Sequence, residues 1–93
     1  MKMVMVVYNE AIDVEIMEVL DKCGLVNYTK ITKVSGKGTT SGTHQGNQIW
    51  PGLNNIMYVA CEDAQVKQFV SGVMDLRKTL EKEGIKTFVM PLE

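Results

Sequence analysis

The sequence contains two short runs in which apolar residues do not alternate with polar ones, residues 4–7 (VMVV) and 56–60 (IMYVA). A strand that is buried on one face and wet on the other alternates apolar and polar residues, so both runs are typical of strands that are apolar on both faces. The 93-residue chain has helical patterns for covering only one face of a sheet. We therefore expect a homo-oligomer, packed sheet against sheet, to bury the second face; the alternative is a modest exposed apolar patch.

The remaining pattern predicts the element order β-α-β-β-α-β. Strands are expected over residues 3–8, 27–34, 53–61 and 85–90, which are rich in apolar or β-branched residues. Helices are expected over residues 10–23 and 62–83, where apolar residues recur every three or four positions. Two β-α-β halves are typical of a ferredoxin-like α+β fold, a four-stranded antiparallel sheet with both helices on one face and the first and third strands central. We predict a single domain over residues 1–93.

Single residues indicate helix ends and one packing point. Asn9 is a suitable N-cap for the first helix, and Gly24 stands where a glycine would end it. Gly84 is expected to end the second helix in the same way. Gly72, inside the second helix, costs about 1 kcal/mol relative to alanine and therefore indicates tight packing. The expected buried stripes are Ile12, Ile16, Val19, Leu20 and Cys23 in the first helix and Val66, Phe69, Val70, Val73, Met74 and Leu80 in the second.

Residues 35–52 (SGKGTTSGTHQGNQIWPG) form the longest stretch without a helix or strand pattern. The stretch contains five glycines, one charged side chain, Lys37, and the only histidine of the chain, His44. Loops of this length in compact domains are usually functional or flexible, so we expect a flexible functional loop. Trp50 is expected to anchor the end of the loop to the sheet or to stack on a ligand ring.

The glycines of this loop do not form a standard nucleotide motif. The segment lacks the glycine that a Walker loop places five residues before its Gly-Lys pair. The spacing of Gly36, Gly38 and Gly42 is one residue too long for a dinucleotide-binding turn. Glycines beside Lys37 and hydroxyl groups still permit backbone N–H groups to approach an anion closely. The alternative is a flexible glycine-rich loop without a ligand.

Composition and charge argue against several classes of function. A formal net charge of −1 without a basic patch argues against nucleic-acid binding through phosphates. The N-terminal apolar run is too short for a signal peptide or a membrane-spanning helix, so no membrane insertion is expected. Cys23 and Cys61 do not form a CxxC pair, and we expect reduced thiols in a cytoplasmic protein.

Metal and catalytic chemistry have little support in the residues. His44 is the only histidine, and the two cysteines do not complete a zinc spacing with it, so no metal site is predicted. The chain has no G-x-S-x-G turn, and Ser41 and His44 lack a convincing acid to orient them. We therefore predict no catalytic residues and a protein that is not an enzyme.

Two short motifs resemble the PII family of trimeric signalling proteins. Residues 34–38 (VSGKG) are similar to the family's V-K-G-F-G at the end of the second strand, and residues 86–89 (KTFV) are similar to its K-I-F-V at the start of the last strand. In PII proteins these segments meet across a subunit boundary and bind ATP or ADP. The resemblance implies a homotrimer in which the glycines of the first motif bring the backbone to the nucleotide and the lysine of the second lies on its phosphates. The expected ligand-binding residues are Gly36, Lys37, Gly38, Thr39, Thr40 and Lys86.

The main hypothesis is a trimeric regulatory protein with a ligand site between subunits and no resident cofactor. A nucleotide such as ATP, ADP or AMP, or another anion, is expected to bind there and to switch the loop at residues 35–52, which then controls a target protein. His44 and Trp50 are candidate loop contacts. The alternative is a metal-binding trimer similar to CutA-like proteins, with His44 and Cys61 as ligands. An enzyme with the loop as a lid and a purely structural oligomer are the remaining hypotheses.

Overall fold

The computed structural model describes residues 1–36, 53–80 and 84–93. The elements are β1 (Lys2–Asn9), a 3-10 turn (Glu10–Ile12), α1 (Asp13–Lys22), β2 (Thr29–Val34), β3 (Asn54–Cys61), α2 (Asp63–Thr79) and β4 (Ile85–Pro91). Neither described helix is long and apolar enough to cross a membrane. The predicted loop at residues 35–52 lies outside the described residues except for Ser35 and Gly36.

The four strands form one antiparallel sheet in the order β2-β3-β1-β4. β1 pairs with β3 on one side and with β4 on the other, so that Met5 lies opposite both Tyr58 and Phe88. The prediction of a ferredoxin-like α+β fold with the first and third strands central is therefore confirmed. β2 and β4 are the two edges of this sheet.

One face of the sheet, here called the helix face, packs against α1 and α2. Val4, Val6 and Tyr8 alternate along β1 and are fully buried, and Met57 and Val59 of β3 are buried beside them. The hydrophobic core lies between these strands and the helices. Its members from the helices and the 3-10 turn are Ile12, Ile16, Leu20, Val66, Phe69 and Val73.

The other face, here called the open face, is also apolar. It carries the alternate residues of β1 and β3 and their partners on the edge strands, because directly opposite residues in a sheet share a face. Its apolar residues are Met3, Met5, Val7, Ile31, Val34, Ile56, Tyr58, Ala60, Phe88 and Met90. Phe88 and Ile31 are each 46% exposed. The predicted apolar character of both faces is confirmed, and the described part of the chain leaves the open face uncovered.

The start of α1 differs from the prediction in detail. The Asn9 side chain caps the 3-10 turn, with its Oδ1 accepting a hydrogen bond from the Ala11 backbone N–H at 2.8 Å. The α-helix begins only at Asp13. Gly24 follows the helix with a φ of 70°, which confirms the glycine predicted to end it.

The end of α2 differs from the prediction. The helix begins with a capping box between Glu62 and Gln65 and ends at Thr79. The prediction that Gly84 ends it is therefore wrong. Gly84 instead leads into β4, where its carbonyl accepts a hydrogen bond from the Asn9 N–H at 3.3 Å.

Gly72 lies where α2 packs against α1. A β-carbon at position 72 would lie 2.6 Å from Cγ1 of Val19. The predicted tight packing at this glycine is confirmed. The prediction that Met74 is buried is wrong: Met74 is 42% exposed, and Leu76 packs against the core in its place.

The edge strand β2 contains a bulge. Ile31 pairs with Ile56 and Val34 pairs with Asn54, so the interval on β2 is one residue longer than the interval on β3. Lys33 lies within the bulge and has a φ of 58°. The bulge places Ile31 and Val34 on the same face, although residues three apart in a regular strand lie on opposite faces.

Candidate functional site

One end of the sheet gathers the segments on which the predicted site depends. β1 and β2 end there, and β3 and β4 begin there. The Asn9 N–H donates to the Gly84 carbonyl at 3.3 Å, and the Glu10 N–H donates to the Leu53 carbonyl at 2.9 Å. We call this the loop end of the sheet, because residues 37–52 connect β2 to β3 there.

The structure places Gly36 and Lys86 at the loop end but on opposite edges. Gly36 follows edge strand β2 and is exposed. Lys86 is exposed in edge strand β4, opposite Val7 on the open face. β3 and β1 lie between the two edges, so the edge strands β2 and β4 are about 14 Å apart, the width of three strand spacings. A single chain therefore does not bring them together around one phosphate or similar group.

The remaining predicted residues lie outside the described part of the chain. They are Lys37, Gly38, Thr39, Thr40, His44 and Trp50. A β-carbon added at Gly36 would lie 3.7 Å from Asn54 Nδ2, which is an ordinary contact. The described surroundings therefore do not by themselves require glycine at position 36. The role of Gly36 in bringing the backbone close to a ligand stays a prediction.

A polar network that the sequence did not predict lies on the helix face at the loop end. The Asp13 carboxylate is at its centre. Tyr8 Oη donates to Asp13 Oδ1 at 2.6 Å, and Asn55 Nδ2 donates to the same oxygen at 3.2 Å. Lys30 Nζ donates to Asp13 Oδ1 at 3.2 Å and to Oδ2 at 3.0 Å. These side chains join β1, α1, β2 and β3.

Burial and hydrogen bonding set the ionisation of this network. Burial, together with the hydrogen bond to Asp13, raises the pKa of the Tyr8 phenol well above its usual value. Burial alone would raise the pKa of Asp13, but hydrogen bonds from Tyr8 and Lys30 outweigh burial and lower it. At neutral pH, Asp13 is therefore an anion and Tyr8 a neutral donor. Neither group has a pKa near 7, so the pair is unsuited to acid–base catalysis at neutral pH.

Asn55 is the incomplete member of the network. Its side chain is almost fully buried, and its Oδ1 has no hydrogen-bond partner among the described residues. Buried polar atoms without a partner are uncommon in folded proteins. Asn55 faces the bulge of β2, between the paired residues Ile56 and Asn54.

Positive charge is exposed at the loop end. Lys33 and Lys86 are exposed, and neither forms an ion pair within the described ranges. The nearby carboxylate of Asp13 is already paired with Lys30. Glu10 is an exposed carboxylate at the same end, so among the described residues the two lysines, and not the summed charge, are the features that suit an anionic ligand or partner.

The described residues do not form a metal site. Within residues 1–36, 53–80 and 84–93, no group of three His, Cys, Asp or Glu side chains could hold a metal ion. Cys61 is buried at the end of β3 that is far from the loop, and burial raises the pKa of its thiol. The CutA-like alternative, with Cys61 and His44 as ligands, has no support.

The element order and strand order place the chain among the ferredoxin-like α+β proteins. The family model for nitrogen regulatory protein P-II matches residues 1–93, and the chain belongs to this family. P-II proteins are signalling proteins that regulate through small ligands, typically form trimers and are generally not enzymes. The resemblance to the PII family is thus confirmed at the level of the family, and the correspondence of residues 34–38 and 86–89 with its motifs stays a prediction.

Solved structures of PII-like proteins share the fold. CPII from Thiomonas intermedia K12 bound to ADP, AMP and acetate has a TM-score of 0.75 at 21% identity, over 96% of this chain and 82% of that chain. CPII bound to ADP, AMP and bicarbonate has a TM-score of 0.74 at 18% identity, over 98% and 88%. A candidate PII-like signalling protein from Thermus thermophilus has a TM-score of 0.69 at 15% identity, over 95% and 82%. A search of curated proteins finds no significant match.

Proposed function

We propose that this chain is a PII-like regulator, a homotrimer that binds a small anionic ligand between subunits and signals its presence to a target protein. Residues 1–93 act as a single domain, residues 35–52 act as the switching loop, and no residue acts as a catalyst. The ligand is an adenine nucleotide, ATP, ADP or AMP, alone or with a second small anion. The protein works in the cytoplasm.

The position of Gly36 and Lys86 on opposite edges carries this proposal. In a closed ring of identical subunits, one edge of each subunit meets the other edge of its neighbour. Groups at the β2 edge and at the β4 edge, which are about 14 Å apart within one chain, then come together across the boundary. Each subunit contributes its β2 edge to one site and its β4 edge to another, so the site is incomplete in a monomer.

The open face supplies a driving force for such a ring. Met5 lies at its centre, between Tyr58 and Phe88, and Phe88 remains 46% exposed. Removal of apolar surface from water contributes roughly 25 cal/mol per Å². Sheets from neighbouring subunits that cover this face therefore stabilise the assembly. Contiguous apolar patches of this kind commonly mark interaction sites.

Charge at the loop end and the related structures support the class of ligand. Lys33 and Lys86 are exposed there, and lysine ammonium groups suit phosphate oxygens. Glycines such as Gly36 permit backbone N–H groups to approach a phosphate closely. CPII is bound to ADP and AMP, together with acetate or bicarbonate, in its solved structures. Adenine nucleotides are therefore the first ligands to test, with bicarbonate as the second anion.

Titration calorimetry of the full chain with ADP, AMP and ATP, with and without bicarbonate, tests the proposal. Lys86→Ala removes a charge-assisted hydrogen bond worth about 1.5–3 kcal/mol and should weaken binding roughly tenfold to hundredfold. Lys67→Ala is the matched control, because Lys67 is an exposed lysine in α2 away from the loop end. Its affinity should equal that of the wild type.

Two results would contradict the proposal at different levels. Equal nucleotide affinity of Lys86→Ala and the wild type would exclude the phosphate role of Lys86. Absence of binding by all three nucleotides would exclude the ligand class and favour a structural oligomer.

A further inference from the structure

The end of β2 has a backbone conformation that lysine adopts only at a cost in free energy. Among the described residues, Lys33 is the only non-glycine residue with a positive φ, at 58°. A residue with a β-carbon is strained in this region relative to glycine. The strained residue lies in the bulge of the edge strand, shortly before Gly36.

The bulge is accompanied by a second unfavourable feature across the strand pair. Thr32 and Lys33 together lie opposite Asn55, because the flanking pairs are Ile31 with Ile56 and Val34 with Asn54. Asn55 is 4% exposed, and its Oδ1 has no hydrogen-bond partner among the described residues. Thr32, which carries a hydroxyl donor, is exposed. A strained backbone and an unpaired buried acceptor thus occur at the same place.

A regular register would relieve both features. Without the bulge, Thr32 lies directly opposite Asn55, and Lys33 lies directly opposite Asn54. Lys33 then takes ordinary extended angles. The Thr32 hydroxyl comes within reach of Asn55 Oδ1, because directly opposite side chains lie about 5 Å apart on the same face. The cost is that Val34 turns from the open face to the helix face.

The preceding half of β2 is fixed in either register. Lys30 pairs with Met57 and donates to Asp13 Oδ2 at 3.0 Å, which holds the strand up to Ile31. We infer that β2 exchanges between the bulged register and a regular register beyond Ile31, with the Lys30–Asp13 ion pair as its fixed point. The exchange moves Gly36 by one residue, about 3.3 Å, along the strand.

The use of this exchange in regulation rests on the proposed function. A ligand that contacts the backbone at Gly36 binds one register better than the other, since the two registers place that backbone differently. Binding therefore shifts the populations of the two registers. The exchange itself takes place without ligand, so it is measured separately from nucleotide binding.

NMR relaxation dispersion and cross-strand NOEs on the ligand-free, isotopically labelled full chain test the inference. The amides of residues 32–36 should show exchange, and those of residues 29–31 should not. Lys33→Gly should suppress the exchange in favour of the bulged register, because glycine accepts a positive φ without strain. Lys33→Val should favour the regular register, because a β-branched residue is poorly tolerated at the positive φ of the bulged register. The NOE between residues 34 and 54 should then be replaced by one between residues 33 and 54.

Two threonine variants form a matched pair. Thr32→Val keeps the β-branched shape but removes the hydroxyl that would donate a hydrogen bond to Asn55 Oδ1 in the regular register. It should therefore shift β2 toward the bulged register. Thr29 lies in the regularly paired half of the strand, so Thr29→Val should leave the exchange unchanged. Unaltered exchange in both Lys33→Gly and Thr32→Val, or a Lys33→Val protein that keeps the NOE pattern of the bulge, would overturn the inference.

Addition of ADP to the wild type separates the inference from the proposed function. ADP should change the relative populations of the two registers. ADP that binds without changing them would overturn the regulatory use of the exchange. A protein that shows the exchange but does not bind ADP would overturn the proposed ligand and leave the two registers established.

Discussion

Val19 of α1 occupies the space that a side chain at Gly72 of α2 would need. A β-carbon at position 72 would lie 2.6 Å from Val19 Cγ1, closer than non-bonded carbon atoms approach one another. The two helices therefore pack through the backbone of one and the side chain of the other. Val19 also packs against the hydrophobic core. A shift of this contact would therefore change how both helices cover the sheet.

Gly72→Ala should destabilise the protein by about 1–3 kcal/mol, because overpacking outweighs the roughly 1 kcal/mol gained by replacing a helical glycine. In a Val19→Ala background, the same substitution should be neutral or stabilising. Gly84→Ala is the control, since nothing lies within 4 Å of its added carbon, and it should change stability by less than about 0.5 kcal/mol. Urea unfolding followed by circular dichroism measures each free energy. A stabilised Gly72→Ala protein would contradict the packing described.

Asp13→Asn should lower stability by about 1–3 kcal/mol at neutral pH, because it leaves Lys30 without its anionic partner. The pKa of Asp13 is lowered in the folded protein, so its stabilisation is fully present above the unfolded carboxyl pKa of about 3.9. The stabilisation is lost as the pH falls through the lower folded value. The gap between variant and wild type should therefore close in acid.

Thermal unfolding over a pH series measures this gap. Asp75→Asn, which changes an exposed carboxylate of α2, is the matched control and should remain close to the wild type throughout. A gap for Asp13→Asn that does not vary with pH would show that the ionised carboxylate does not stabilise the network.

Cys61 should react very slowly with Ellman's reagent in the native protein at neutral pH. The thiolate is the reactive form, and burial both shields this thiol and raises its pKa. Cys23 is partly exposed and should react faster, although burial raises its pKa as well. Cys23→Ser and Cys61→Ser assign the two reactions, and modification in urea provides the full thiol count. Rapid native modification of Cys61 would be incompatible with its burial.

Met5→Glu should dissociate the proposed trimer, because it places a charge at the centre of the open face, between Tyr58 and Phe88. Size-exclusion chromatography with light scattering measures the mass of the assembly. Val14→Glu introduces the same charge on α1, where Val14 is 67% exposed, and should leave the assembly intact. A monomeric wild type, or a Met5→Glu variant that remains trimeric, would exclude the open face as the subunit interface.

The order of helices and strands follows from apolar periodicity, which is a local property of each segment. The unbroken apolar runs at residues 4–7 and 56–60 correctly indicated a sheet with two apolar faces. Met74 and Gly84 were assigned wrongly for a different reason. Whether a residue at the edge of an apolar stripe is buried, as for Met74, depends on what packs beside the helix. The role of Gly84 depends on tertiary pairing, because its carbonyl accepts a hydrogen bond from Asn9 of β1.

The polar network could not be predicted because the register of the sheet brings its members together. Asp13 lies 17 residues from Lys30 and 42 residues from Asn55. Alternation along β2 places Lys30 on the helix face but does not identify its partner. The positive φ of Lys33 could not be predicted either, because glycine is the residue that usually indicates this backbone conformation and position 33 is a lysine.

The proposed ligand site was only partly accessible from the sequence. Gly36 and Lys86 are predicted from two short motifs that resemble those of a family. Such motifs identify candidate residues but do not show where those residues lie relative to each other in the fold. Their location on opposite edges follows from the strand order β2-β3-β1-β4, which depends on tertiary pairing.

Each ligand site of the proposed trimer is built from two subunits, with Gly36 supplied by one and Lys86 by its neighbour. The most direct measurement is ADP titration of mixed trimers, prepared by unfolding and refolding Gly36→Phe and Lys86→Ala chains together. Each variant alone should bind ADP poorly. A mixed trimer contains one boundary at which an intact Gly36 meets an intact Lys86, so ADP binding should return at one of its three sites. Mixed trimers that bind ADP no better than either parent would exclude a site shared between subunits.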